Sequence, residues 1–351
     1  MIKASYSKRT LIFKQPAGTS RGVLKQKDVF YLILVDTENP LKKGIGEIAP
    51  IPGLSPDAVP ELEEKIGILV QKINHKEEIG ESEFTGFPSV RFGYETAGTG
   101  LNGESPVLLF PSEFTLGKTG IPINGLIWMG TKDFMLKQVS EKIAAGFTCL
   151  KLKIGAIDFE SELDILRSIR NRFPASQLEI RVDANGAFSP ENARLKLEQL
   201  ARFDLHSIEQ PIKQGQFSDM KKLCENSPVP IALDEELIGI SIKKEKKKLL
   251  DTICPQYIIL KPTLLGGIKV SEEWISLAEK RGIGWWVTSA LESNIGLNVI
   301  SQWVASLKTT NFQGLGTGIL FTNNIESPLY VSKGFLWYNP GKEWDLKSID
   351  G

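Results

Sequence analysis

Apolar and polar residues alternate over two early stretches, residues 2–14 and 28–38 (DVFYLILVDTE), and a period of two predicts paired strands. The segment QPAGTSRGV at 15–23 reads as the loop that joins them. A turn-rich passage follows, GIGEIAPIPGLSPD at 44–57, and then helical spacing runs from Pro60 to about Lys72 and again over Pro88–Gly98. This part reads as an α+β domain of roughly 115 residues. From Ile121 the rhythm changes. Short apolar runs (INGLIWM, CLKLKIG, LEIRVDAN, SIEQPI, PIALDE, YIILKPT, GWWVTSA, FQGLGTG) alternate with amphipathic segments such as KDFMLKQVSEKIAAG and DFESELDILRSIRNRF. Strands separated by helical crossovers predict an α/β fold of the (β/α)8 barrel type. The chain after about Leu320, rich in Gly, Pro and aromatic residues, is expected to rejoin the first domain.

Five of the apolar runs end on charge. Lys151 and Lys153, Asp183, Glu209, Asp234 and Lys261 recur about one strand-plus-helix unit apart, and in a barrel every strand's C-terminal end faces one mouth. Any one of these residues alone is an ordinary charged strand end. Together they place three carboxylates at one mouth between lysines. Carboxylates so gathered repel unless a cation sits among them, and oxygen ligands with no His or Cys nearby select Mg²⁺, with Mn²⁺ as the alternative. Lys151 and Lys153 are two apart, so both point to one strand face, the barrel interior. Burial beside a dication should lower their pKa from ~10.4 towards ~7–8, which makes a general base near neutral pH. Lys261 faces them from the opposite wall. A cation that chelates a carboxylate, beside a lysine base, is a pattern for removing a proton alpha to that carboxylate.

The composition narrows the setting. With 42 basic and 42 acidic residues there is no electrostatic reason to expect nucleic acid or an anionic membrane as partner. Three scattered cysteines, Cys149, Cys224 and Cys254, form no CxxC pair and fit a reducing compartment. The N-terminus lacks a signal-like apolar stretch, and no run reaches the ~18 residues of a membrane span. A cytoplasmic protein acting on a small-molecule carboxylate is expected, its oligomeric state left open.

Taken together, the KxK pair, the DAN, EQP and DE motifs that begin at 183, 209 and 234, the lysine of ILKPTLLGG and the GIGEIAPIPGLS passage resemble the enolase superfamily, in particular its muconate-lactonizing-enzyme subgroup. The resemblance covers nearly the whole chain. It implies a modified (β/α)8 barrel, (β/α)7β, over 119–321. It also implies an N-terminal α+β capping domain over 1–118, completed by 322–351, whose 15–23 loop closes over the substrate. By resemblance Lys153 is the base, Lys261 the opposing lysine and Lys151 a stabiliser of the enolate. Asp183, Glu209 and Asp234 match the magnesium ligands, with Asn185 and Glu235 supporting them. Branches with a histidine base are excluded, since His75 and His206 lie in no such motif.

Within the subgroup, dipeptide epimerases carry an Asp-x-Asp after the eighth strand, whereas Gly314–Gly318 here holds no acid. That departure, together with FPSVRFGYETA (87–97) and VTSALESNIG (287–296), resembles the o-succinylbenzoate synthases. Ser289, Ala290, Gly316 and Thr317 would then contact the substrate's carboxylates, Ala290 and Gly316 through their backbone. The implied reaction is magnesium-dependent dehydration of 2-succinyl-6-hydroxy-2,4-cyclohexadiene-1-carboxylate to 2-succinylbenzoate in menaquinone synthesis, a carbon–oxygen lyase activity. Two other readings stand beside it. One is a racemase of N-acylated amino acids, N-succinylamino acids among them, with Lys153 and Lys261 as bases on opposite faces, or another isomerase of the superfamily. The other is a non-catalytic binding barrel, which would be free to lose one of these charges.

Other features read as structural. The run Lys243–Lys248 suits a solvated helix face. One of Trp285 and Trp286 should face the core and the other the helices. Gly266-Gly267 reads as a strand-to-helix turn rather than a phosphate site, and Cys149 as packing.

Overall fold

The computed structural model describes residues 1–19, 22–80 and 82–349. Three antiparallel strands open the chain: β1 (Ile2–Thr19), β2 (Gly22–Asp36) and β3 (Asn39–Ile48), in the order β1-β2-β3. Two helices, α1 (Leu62–His75) and α2 (Pro88–Asn102), pack on them and bury Leu32, Leu34, Ile48, Ile66, Leu69 and Val90. The expected loop at 15–23 is instead strand on both sides: Ala17 pairs with Leu24 and Gly18 with Val23, after a register shift beyond Ile12. Ser20 and Arg21 of that stretch lie outside the described residues. The alternation is broken by the shift, so the pattern of period two stops at residue 14 although the pairing continues.

The passage at 44–57 also differs from its reading, since its first residues close the sheet as β3. Gly44 and Gly46 weaken the strand signal. They are needed because α2 crosses directly over them: a Cβ on Gly44 would strike the Ala97 carbonyl, and one on Gly46 the Gly93 carbonyl.

Seven parallel strands follow among the described residues: β4 (Ile121–Pro122) pairs elsewhere, while β5 (Gly125–Ile127), β6 (Cys149–Lys153), β7 (Glu179–Asp183), β8 (Ser207–Glu209), β9 (Ile231–Leu233), β10 (Tyr257–Leu260) and β11 (Gly284–Val287) hydrogen-bond in sequence order. Helices α3 (Lys132–Ala144), α4 (Phe159–Arg170), α5 (Pro190–Leu200), α6 (Phe217–Asn226), α7 (Lys243–Ile253), α8 (Pro262–Leu265), α9 (Ile268–Glu279) and α10 (Asn294–Ser306) make the crossovers. Their apolar faces and the outward residues of the strands, Leu150, Leu152, Ile180, Val182 and Ile208 among them, form the main core. The sheet curls into an α/β barrel. Its two edges meet through single bridges, Ile123 to Gln313 and Thr288 to Gly314, so the expected strand FQGLGTG is no continuous strand. Its glycines turn into a short 3-10 helix, Gly316–Leu320, instead of extending the ladder.

The chain ends with the hairpin β12 (Leu329–Ser332) and β13 (Phe335–Tyr338), which pairs with β4. Phe321, Ile325 and Ile349 pack with Leu11, Phe13, Tyr31 and Ile45 of the first sheet. Asn323 accepts from Ile12 N and donates to the Thr10 carbonyl, tying this tail to β1.

Several structural readings resolve here. Trp286 is buried inside the barrel, where the Arg181 guanidinium lies 4.2 Å from its ring, while Trp285 packs outward against the main core. The lysine run does form a helix, α7, but Lys246 is fully buried, donating to Glu273 at 2.7 Å and facing the Trp274 ring. That lysine departs from the solvated face because its turn of the helix points at α9. The Gly266-Gly267 pair joins α8 to α9, two helices. The α9 N-terminus is capped by Glu95 of α2, which accepts from Ile268 N (2.7 Å) and Lys269 N (3.0 Å).

Candidate active site

Parallel pairing aligns the charged strand ends. Lys153 is opposite Asp183, and Asp183 opposite Glu209, while Asp234 and Lys261 directly follow β9 and β10. The structure therefore brings all six expected residues to one mouth, where each is at most 9 % exposed. Charges this deep are tolerated only when paired, and these are. Lys151 Nζ bridges Asp183 Oδ2 (2.9 Å) and Glu209 Oε2. Lys153 Nζ donates to Asp183 Oδ2 (2.6 Å) and Asn185 Oδ1 (2.7 Å), and Lys261 donates to Asp234 Oδ2.

The motif residues that follow these carboxylates have backbone work to do. Asn185 sits at φ +44° and Gln210 at φ +40°, in the left-handed region. Asn tolerates that region better than most residues. Asn185 N caps Asp183 Oδ1 at 3.0 Å, and its amide donates to Glu235 Oε1 at 3.0 Å, so Asn185 links the Lys153 ammonium to Glu235. Gln210 Oε1 accepts from Asp234 N at 3.2 Å, fixing the turn that carries Asp234.

Electrostatics corrects one expectation. Burial pulls Lys151 down, but Asp183, Glu209 and Asp234 outweigh it and hold the ammonium above the ordinary lysine value rather than near neutrality. Lys261 behaves alike: burial lowers it, yet Asp234 and Glu209 keep it raised. Asp183 resists burial because Lys151 and Lys153 hold it well below the carboxylate range. Glu209 moves the other way, pushed up by burial and by its neighbour Asp183.

Lys151, Lys153 and Lys261 floor a cavity of about 600 Å³ under the first sheet, with Phe13 and Leu24 from the β1–β2 ribbon and Leu54 above it. Five lysines line it (Lys14, Lys142, Lys151, Lys153, Lys261) against one acid, Glu141, among the described lining residues. Ser289, Gly316 and Thr317 line it as well, and the Thr317 hydroxyl donates to Ser289 Oγ at 2.7 Å. Ala290 does not reach it. Its N–H donates to Glu292 Oε2 at 2.8 Å and its carbonyl accepts from Lys27 Nζ at 3.2 Å, so the expected backbone contact to a substrate carboxylate is already committed. Sequence reading missed Lys27 and Glu292, both buried and polar, although Glu292 lies within VTSALESNIG.

Comparison with known proteins agrees with this geometry. Residues 135–341 match the family described as enolase C-terminal domain-like, and residues 19–101 match the MenC N-terminal domain. An o-succinylbenzoate synthase of Desulfotalea psychrophila is 47% identical, the alignment covering 95% of this chain and 98% of the relative. The crystal structure of MenC from the same organism superposes with a TM-score of 0.85 at 44% identity, covering 96% of this chain and 99% of that one. The L-Ala-D/L-Glu epimerase of Bacillus subtilis has a TM-score of 0.81 at 18% identity, covering 96% of both chains, a likeness of fold alone. The lysine-rich cavity and the full-length match agree on one branch of that fold, and the chain belongs to the o-succinylbenzoate synthases, hydro-lyases of the enolase superfamily.

Proposed function

We propose that this chain dehydrates 2-succinyl-6-hydroxy-2,4-cyclohexadiene-1-carboxylate to 2-succinylbenzoate, a step of menaquinone synthesis. The observation that carries this reading is a cavity rich in cationic lining, floored by Lys151, Lys153 and Lys261, which are paired with Asp183, Glu209 and Asp234 at the same barrel mouth. Such a cavity suits a dianionic substrate and offers little to a dipeptide's amino group.

Asp183, Glu209 and Asp234 would hold a divalent cation, Mg²⁺ with Mn²⁺ as the alternative. Among the described residues no three acids are already gathered in metal-binding geometry. The donor set nevertheless fits: the carboxylates are hard oxygen ligands, and Glu209 Oε1 is buried with no hydrogen-bond partner. When bound, the cation supplies electrostatic stabilisation of charge developing on the substrate carboxylate. Lys153 would take the proton alpha to the ring carboxylate. The C–H electron pair then moves into the ring, hydroxide departs, and the Lys153 ammonium returns the proton to it as water. Lys151 stabilises the intermediate's charge. Lys261, held charged by Asp234, would rest against the ring as a cation–π partner. Asn185 and Glu235 orient Lys153 and the ligand turn.

We further read the barrel as (β/α)7β over 119–321, with Gln313–Gly314 as its last stave. The cap is 1–118 with 322–351. Free Cys149, Cys224 and Cys254 support a cytoplasmic setting.

The test is turnover of the cyclohexadiene by purified protein with Mg²⁺, followed by loss of diene absorbance, with and without EDTA. Rapid, EDTA-sensitive loss is expected. Two buried lysines in one cavity also favour a second reading, an N-succinylamino acid racemase. No loss of the diene with metal bound, but exchange of the α-proton in D₂O with inversion, would establish that reading instead.

A further inference from the structure

Behind the polar wall of the cavity lies a carboxyl group that the chemistry above does not use. Glu292 is fully buried, and both its oxygens are engaged. Oε2 accepts from Ser289 Oγ (2.6 Å) and Ala290 N (2.8 Å), and Oε1 accepts from Thr263 Oγ1 (2.5 Å). Ser289 Oγ in turn accepts from Thr317 Oγ1 (2.7 Å) and Leu291 N (3.0 Å). One side chain thereby joins three separate pieces of chain: the turn after β11, the segment just beyond Lys261, and the 3-10 helix that carries Thr317. Of these, Lys261, Ser289 and Thr317 face the cavity, while Thr263 and Glu292 stand behind it.

The turn itself is strained. Leu291 occupies φ +60°, a region that a branched side chain enters only when its surroundings insist. The bonds to Ser289 and Glu292 on either side of it provide that insistence. The first sheet adds a second anchor. Lys27 of β2 is 2 % exposed and donates to the carbonyls of Ala49 (3.3 Å) and Ala290 (3.2 Å). Burial lowers Lys27 to about 8 against the attraction of nearby Glu292, Glu47 and Asp57. Ala49 leads into Ile51–Leu54, which lines the cavity from above. A cation from the first sheet thus sits beside the carboxyl that organises the barrel's side of the pocket.

We propose that Glu292 is a positioning residue for substrate binding, holding Ser289, Thr317 and the Lys261 segment as one prearranged wall that Lys27 ties to the first sheet. The inference rests on the reading of Ser289 and Thr317 as part of the substrate wall. Preorganisation of this kind lowers the ordering cost of binding, so its loss appears in KM more than in kcat.

The experiment is a double-mutant cycle on substrate turnover with Ser289→Ala, Glu292→Gln and the pair. Ser289→Ala and Glu292→Gln should each raise KM by about tenfold, the loss expected for one charge-assisted hydrogen bond, with kcat falling by less than KM rises. The double variant should be no worse than the worse single one, because Glu292 acts through Ser289. An unchanged KM in Ser289→Ala would refute the substrate-wall reading itself. A raised KM there with an unchanged KM in Glu292→Gln, or effects that multiply in the pair, would overturn the role of Glu292 while leaving the wall intact. Should Glu292→Gln fail to fold, Thr263→Val removes the Oε1 anchor outside the cavity. It should raise KM, with recovery in Thr263→Ser, and an unchanged KM in folded Thr263→Val would overturn the inference.

Discussion

Lys153→Ala is expected to fold and to lose turnover by on the order of 10⁴-fold, the upper range for removing a general acid–base group. The size of the effect follows from the double duty proposed for this side chain, which takes the α-proton and then returns it to the leaving hydroxide. Folding should survive because Asp183 keeps a second cation: Lys151 Nζ lies 2.9 Å from the same oxygen that Lys153 contacts. A buried carboxylate left with no cation at all would cost about 3–5 kcal/mol. Lys153→Arg should not rescue activity, since guanidinium does not give up its proton at working pH. Steady-state rates and a thermal melt on the same preparation decide the matter. Turnover within about tenfold of wild type, with the melt unchanged, would remove Lys153 from the role of base.

Asp234→Asn is expected to weaken Mg²⁺ binding by at least about 100-fold, beyond what loss of a residue merely supporting a ligand costs. Asparagine keeps the shape and one oxygen but removes a full negative charge from a three-carboxylate set. It also removes the partner of Lys261, whose raised pKa depends first on Asp234 among its neighbours. Activity should fall with the affinity and recover in part at high Mg²⁺. Calorimetric titration of both proteins checks this, and an unchanged isotherm would remove Asp234 from the ligand set.

How much of this was legible beforehand depends on the kind of signal. The charged strand ends were readable because a parallel barrel repeats one strand-plus-helix length, so a spacing in sequence becomes a ring in space. Lys153, Asp183 and Glu209 are neighbours in register for that reason. β3 was hidden because close packing of α2 demands glycines at 44 and 46, which depress strand propensity. The last stave of the barrel was overestimated for a related reason: its glycines permit single bridges at Gln313 and Gly314 and then a tight turn. The Lys151 pKa departs from its expected lowering because burial was weighed without the carboxylates that the fold brings to the same point. Lys27 and Glu292 carry no periodic or motif signal. Their partners lie on other segments of the chain, in part at the contact between the first sheet and the barrel, and only the fold displays that.

Anomalous diffraction from crystals of the protein grown with Mn²⁺ and 2-succinylbenzoate tests the central claim most directly. The account predicts one strong peak bounded by the carboxylates of Asp183, Glu209 and Asp234, with the ring of the product held between Lys153 and Lys261. Product bound in this cavity with no peak at those three carboxylates, from protein whose turnover requires the metal, would contradict it.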